Sequence, residues 1–166
     1  HEKHLPGGQT VLRNEMPGRG SSRTLPSGAK TQTTTAPDPI FGMSAPYTSK
    51  KTFETPSGKK RTVERTKKAT FSKKGQADTL TSLTTETTVN GRTSTSVWKK
   101  NSSGAGASRT VTTPEGHKTV VHQNPDGQVT KRAFGPLLAR QFSYDPHGRI
   151  TQITEGTRQT KFTYNA

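Results

Sequence analysis

Large apolar residues stand singly or in pairs along this chain and never recur at the 3.6-residue spacing of a helical stripe. They are separated by Thr-rich stretches that alternate with Gly and Pro punctuation, a pattern that predicts short strands joined by tight turns. The four-residue pattern X-Pro-x-Gly occurs at Leu5–Gly8, Leu25–Gly28, Thr55–Gly58, Thr113–Gly116, Asn124–Gly127 and Asp145–Gly148. The intervals are 20, 30, 58, 11 and 21 residues, each close to a multiple of ten, and Asn90-Gly91 and Glu155-Gly156 keep much the same beat. Pro presets φ for the second turn position, Asp or Asn before it can bond the turn backbone, and Gly supplies the left-handed residue that follows. A turn every ten residues leaves strands of about six or seven, the ordinary length.

The clearest hairpin is in the middle. Asn90-Gly91 suits a two-residue type I′ turn, which sets Val89 opposite Arg92. Counting outward pairs Leu83 with Trp98, Thr85 with Ser96 and Thr87 with Ser94 on one face. The other face pairs Thr84 with Val97, Glu86 with Thr95 and Thr88 with Thr93. Segment 109–134 supplies two further turns, with Val111, Val120, Val121 and Val129 as candidate sheet contacts. Two segments break the beat: 36–47, with three prolines, reads as an irregular Pro-rich connector, and 101–108 as a flexible Gly/Ala/Ser loop. The fold expected is all-β: consecutive antiparallel hairpins in one extended, curved sheet over 1–166.

Composition sharpens this picture. Leu, Ile, Val and Phe total 24 of 166 residues and the net charge is +15, values that exclude a globular enzyme built round a large apolar interior. Thr, present 30 times, is what separates the chain from plain disorder, because it suits a pleated, half-buried surface. There are no cysteines, hence no disulfide framework or thiolate metal site, and no apolar run is long enough to span a bilayer. The chain starts at His1 without an initiator Met and reads as an internal piece of a longer polypeptide.

Near the C-terminus the repeat becomes explicit. Phe142-Ser143-Tyr144-Asp145 is echoed by Phe162-Thr163-Tyr164-Asn165, and Tyr144 continues as Asp145-Pro146-His147-Gly148-Arg149-Ile150-Thr151. This run resembles the YD-repeat unit of the Rhs family, Tyr-Asp-x-x-Gly-Arg-Leu/Ile-Thr. Residues 124–130 form a weaker copy, so the strict motif covers 124–166, and Asn165 stands where the motif has Asp. The resemblance implies a segment of a spiral β-hairpin shell, as in bacterial Rhs toxin shell proteins, the C and B subunits of insecticidal toxin complexes, and teneurins. It also implies flanking repeats of the same polypeptide and an enclosed C-terminal toxin domain as partners, and a secreted or cell-surface location. Within the motif Phe142, Tyr144, Phe162 and Tyr164 are expected to face adjacent strands. Asp145 is expected to cap its turn, Gly148 to take positive φ, and Arg149 to pair with a carboxylate or stack on Tyr; Asn165 opens a further copy.

Three chemical readings compete with this structural one. Asp145-Pro146-His147-Gly148 matches part of the aspartyl self-cleavage motif that ends some Rhs shells, but Arg149 stands in place of its Leu, which favours an ordinary turn. Between Lys51 and Gly75 lie nine basic residues, Lys51, Lys59, Lys60, Arg61, Arg65, Lys67, Lys68, Lys73 and Lys74, against Glu54 and Glu64, with Phe53 and Phe71 at the flanks. Such density could hold phosphates nonspecifically. The alternative function is therefore a basic module contacting carbohydrate, nucleic acid or another anionic surface, although no specific nucleic acid is expected and exposed Lys also guards strand edges. His117, His122 and His147 are scattered without paired carboxylates, so neither a metal, a cofactor nor an enzymatic activity is expected.

Overall fold

The computed structural model describes residues 2–4, 10–16, 20–102 and 105–165. The Leu5–Gly8 turn and His1 lie outside them. The chain is nearly all β, with strands β1 (Glu2–His4), β2 (Thr10–Met16), β3 (Gly20–Thr24), β4 (Lys30–Asp38), β5 (Gly42–Glu54), β6 (Lys60–Phe71) and β7 (Leu80–Val89). There follow β8 (Arg92–Lys100), β9 (Ala107–Thr112), β10 (Lys118–Gln123), β11 (Val129–Phe134), β12 (Arg140–Tyr144), β13 (Ile150–Glu155) and β14 (Arg158–Lys161). One 3-10 turn, Ala77–Thr79, is the only helical segment among the described residues, and no helix is long and apolar enough to cross a membrane. Strand order follows chain order, and the pairings are antiparallel. Consecutive hairpins are thus the architecture.

Two compact units divide the chain, His1–Lys68 with Thr85–Thr93, and Ala69–Thr84 with Ser94–Ala166. Neither has a core of ordinary size. Val11, Ala29 and Ala107 are the buried hydrophobic residues among those described, and no large side chain is fully buried. Cohesion therefore rests on backbone ladders and on side chains half-covered by their cross-strand neighbours.

The turns form as their residues dictate. In all five described X-Pro-x-Gly copies the glycine N–H donates to the carbonyl of X at 2.9–3.0 Å, and the N–H of X donates to the carbonyl four residues on at 2.8–3.0 Å. The five glycines have φ of 80 to 86°, the left-handed bulge position of a three-residue hairpin loop. Asn90 (φ 48°) and Gly91 (φ 85°) both lie in the left-handed region, as a type I′ turn demands, and the Thr88 and Thr93 hydroxyls meet at 2.8 Å in the expected register. The Asn90 tip is itself gripped: its N–H donates to the Thr62 carbonyl and its Oδ1 accepts from Thr62 N–H.

Two segments differ from expectation. Residues 36–47 are not an irregular connector but the tip of the β4–β5 hairpin, closed by an Asx turn in which Asp38 Oδ1 accepts from the Ile40 and Phe41 N–H groups. The ladder shifts register between Thr34 and Thr35 and again between Ala36 and Asp38, leaving Pro37 and Pro46 without ladder partners. Such bulges admit proline without losing a hydrogen bond. The loop expected over 101–108 is shorter, because Ala107 and Ser108 already belong to β9. It is also closed, Asn101 N–H donating to Gly106 O and Asn101 Nδ2 to Ala105 O. Gly106 has φ +88°, and a Cβ there would collide with the Gln123 carbonyl oxygen and approach the Asn124 carbonyl carbon to 2.8 Å; no other residue fits.

Candidate functional site

The second unit carries Phe142–Asp145 and its echo Phe162–Asn165, and the tyrosine contact is the same in both. Phe142 and Tyr144 lie two residues apart on one face of β12, where Phe142 pairs with Ile153 and Tyr144 with Ile150 across a register shift. The Tyr144 hydroxyl donates to the carbonyl of Val129 at 2.7 Å, and the Tyr164 hydroxyl to the carbonyl of Ile150 at 2.8 Å. Val129 and Ile150 are equivalent, each standing two residues after the turn glycine, Gly127 or Gly148. Each tyrosine therefore fastens the exit of the preceding Pro-x-Gly turn, two strands back along the chain. The motif predicts the tyrosines' place, but nothing in it shows that the hydroxyl rather than the ring face makes the link.

Asp145 closes its own turn. Oδ1 accepts from the N–H of His147 at 3.0 Å and of Arg149 at 2.8 Å, while Oδ2 accepts from Arg149 Nε at 2.7 Å. Partial desolvation pushes its pKa up, but the Arg149 guanidinium and these N–H donors outweigh that and hold it below the ordinary aspartate value. Both carboxylate oxygens are thus engaged inside the turn. The Arg149 guanidinium also lies over the Tyr164 ring, 4.6 Å from its centroid, so it does both things expected of it at once. One turn earlier a neutral pair copies this arrangement: Asn124 Oδ1 accepts from Gln128 N–H, and Asn124 Nδ2 donates to Gln128 Oε1 at 2.7 Å. Gly148 takes φ 81°. Phe162 continues the β13 ladder through its N–H to Thr151 O. Asn165 is exposed beyond β14.

The basic cluster is not one patch. On β6, alternation sends Arg61 and Arg65 to the face that carries Lys51 and Phe53, and Lys60 and Lys68 to the other, following the Phe53–Arg61 and Glu54–Lys60 pairs. Lys59 sits just after the Thr55–Gly58 turn, and Lys73 and Lys74 belong to the second unit. Lys60 pairs with Glu54 at 3.5 Å. Lys67 is committed to Asp38 Oδ2 at 2.8 Å and lies 4.9 Å from the centroid of the Tyr47 ring. Asp38 is the buried acidic residue of the first unit. The Lys67 hydrogen bond lowers its pKa, burial opposes this, and the Ile40 and Phe41 N–H groups add to the lowering. This Asp–Lys–Tyr cluster ties the end of β4 to the interiors of β5 and β6; no sequence motif marks it.

A concavity of about 480 Å³ in the second unit is lined by Leu80, Trp98, Ala107, Asn124 and Pro125 among others. Its amides are occupied, Gln123 Nε2 donating to Gly127 O and Asn124 to Gln128, and its charged lining residues are Asp78 and Lys100. Among the described residues no cluster of three or more His, Asp or Glu could hold a metal. No family model matches the chain, and no curated protein is similar to it.

Proposed function

We propose that this chain is a segment of an Rhs/YD-repeat array and that its function is structural and non-enzymatic: part of the wall of a bacterial shell enclosing a C-terminal toxin, secreted or delivered at the cell surface. The observation that carries the reading is the pair of equivalent hydroxyl ties, Tyr144 to Val129 O and Tyr164 to Ile150 O. They repeat one inter-turn contact with the same atoms. A second support is the near-absence of buried side chains among the described residues, since a unit that buries so little needs neighbours stacked on it, as repeat proteins do. Within such an array Asp145, Gly148 and Arg149 build the turn, and Phe142 and Phe162 dress the sheet face.

The test is to sequence the coding region on both sides and image the whole product by electron microscopy. Further Pro-x-Gly turns in both flanks, and a hollow particle holding an unrelated C-terminal domain, are the expected result. Flanks without the turn pattern, or a particle with no enclosed domain, would overturn the proposal.

A further inference from the structure

The registers of the second unit line up residues far apart in sequence. Trp98 pairs with Arg109, Arg109 with Val121, Val121 with Arg132, Arg132 with Arg140, Arg140 with Glu155, and Glu155 with Arg158. Residues directly opposite one another project from the same face, so these seven form one row crossing β8 to β14. Four of them are arginines. From Arg109 to Arg158 the row crosses five strand spacings, roughly 24 Å.

The charges are sorted by type. On β9 to β14 Arg109, Arg132, Arg140 and Arg158 share this face, whereas Lys118, Lys131 and Lys161 are on the opposite one, opposite Thr112, His122 and Gln152. Solubility and edge protection need only positive charge, which Lys supplies. Planar guanidinium forks are what bidentate carboxylate or phosphate recognition requires. Arg132 and Arg140, moreover, stand directly opposite each other, an arrangement that destabilises a sheet. Among the described residues neither Arg132 nor Arg158 has an ion-pair partner, and Arg109 has only the Ser96 hydroxyl, at 3.0 Å. All four arginines are exposed.

We propose that this face binds an acidic polypeptide segment, its Asp and Glu side chains seated along the arginine row. Independently of any shell function, the row already shows how a carboxylate fits. Glu155 lies between Arg140 and Arg158, accepting from Arg140 Nε at 2.9 Å, and a polar hollow of about 230 Å³ opens there, lined by Arg140, Ile153, Glu155, Arg158 and Thr160. An extended peptide crossing the strands presents side chains on one side every ~6.8 Å, a spacing that lets flexible Glu side chains reach successive guanidinium groups. Single-stranded nucleic acid would add base stacking on exposed rings. Of the rings on this face, Trp98 and Phe142 are half-buried, while Phe134 and Phe162 are exposed but stand on separate strands, β11 and the continuation of β14, without forming a stacking run along the row.

A fluorescently labelled ten-residue poly-glutamate peptide, titrated with the 166-residue chain at low salt, tests the proposal. A ten-nucleotide oligothymidine serves as the competing polyanion. Binding of the peptide should weaken about tenfold or more in the Arg132→Gln/Arg140→Gln variant, and measurably in Arg132→Lys/Arg140→Lys, which keeps the charge but loses the fork. Lys118→Gln/Lys131→Gln/Lys161→Gln on the opposite face should change it by less than about twofold. Arg132→Gln should leave the circular dichroism spectrum unchanged and unfold no more easily than the parent, because it relieves a like-charge pair. No peptide binding, equal losses from both faces, or tighter binding of the oligonucleotide would each overturn the proposal.

Discussion

Replacing Tyr144 by phenylalanine removes one hydroxyl and leaves the ring. The hydroxyl donates to Val129 O at 2.7 Å from a half-buried position, and such a bond contributes about 0.5–1.5 kcal/mol net. Water can reach the half-buried Val129 carbonyl in the variant, so a loss near 1 kcal/mol is expected. Tyr144→Ala also removes the ring. If roughly 100 Å² of it is covered, at about 25 cal/mol/Å², a further ~2.5 kcal/mol goes, giving a total of about 3.5 kcal/mol. His147, at the exposed tip of the same turn, contributes only its backbone N–H to Asp145, which alanine retains. His147→Ala should cost less than about 0.5 kcal/mol. Urea unfolding of the 166-residue chain, followed through Trp98 fluorescence in the same unit, orders the three variants. If Tyr144→Phe matches the parent, or His147→Ala costs more than Tyr144→Ala, the hydroxyl tie is not what holds the repeats together, and the turn tip would have to be re-examined as a site.

Three further outcomes follow from the geometry. Gly91→Val forces a β-branched residue into φ 85° and should cost about 1–3 kcal/mol; amide exchange of Thr88–Thr93 should quicken, and unchanged exchange would refute the type I′ assignment. Gly106→Ala meets both positive φ and the Gln123 carbonyl, and should cost about 2–4 kcal/mol by the same unfolding assay; a neutral result would mean the β9–β10 ends are not so closely apposed. Asp38 has a native pKa below its unfolded value of about 3.9. Its contribution is therefore complete above that unfolded value and lost as pH falls through the lowered native one. Exchange protection in β4–β6 should drop across this acid window, and Asp38→Asn, less protected at neutral pH, should lack that drop; an identical pH profile would refute the role of the Lys67 pair.

What could be read from the sequence was local. Pro-x-Gly and Asn-Gly fix backbone angles within four residues, so the turns and the strands between them were legible, as was the role of Asp145 in its own turn. The β4–β5 hairpin was not, because three prolines normally exclude a strand and only the register breaks at Thr34/Thr35 and Ala36/Asp38 let Pro37 and Pro46 stand in one. Density in sequence also misled: residues 51–75 crowd their charges along the chain, but strand alternation parts Arg61 from Lys60. Conversely Arg109, Arg132, Arg140 and Arg158 look unrelated until five hairpin registers set them in one row. The tyrosine ties were hidden for another reason, since their acceptors are main-chain carbonyls, which no side-chain pattern can announce.

The hydroxyl ties give the array a direction in time. The turn that leads into Val129 is not fastened until Tyr144 exists, and the turn into Ile150 waits for Tyr164. A chain leaving the ribosome thus carries its newest Pro-x-Gly turn unclasped, and each of these two is locked only when the two strands after it have emerged, 15 residues later in the first case and 14 in the second. Clasps of this kind can close only in order from N- to C-terminus as the chain emerges. A chain cut between Val129 and Tyr144, or between Ile150 and Tyr164, keeps the turn and loses its clasp.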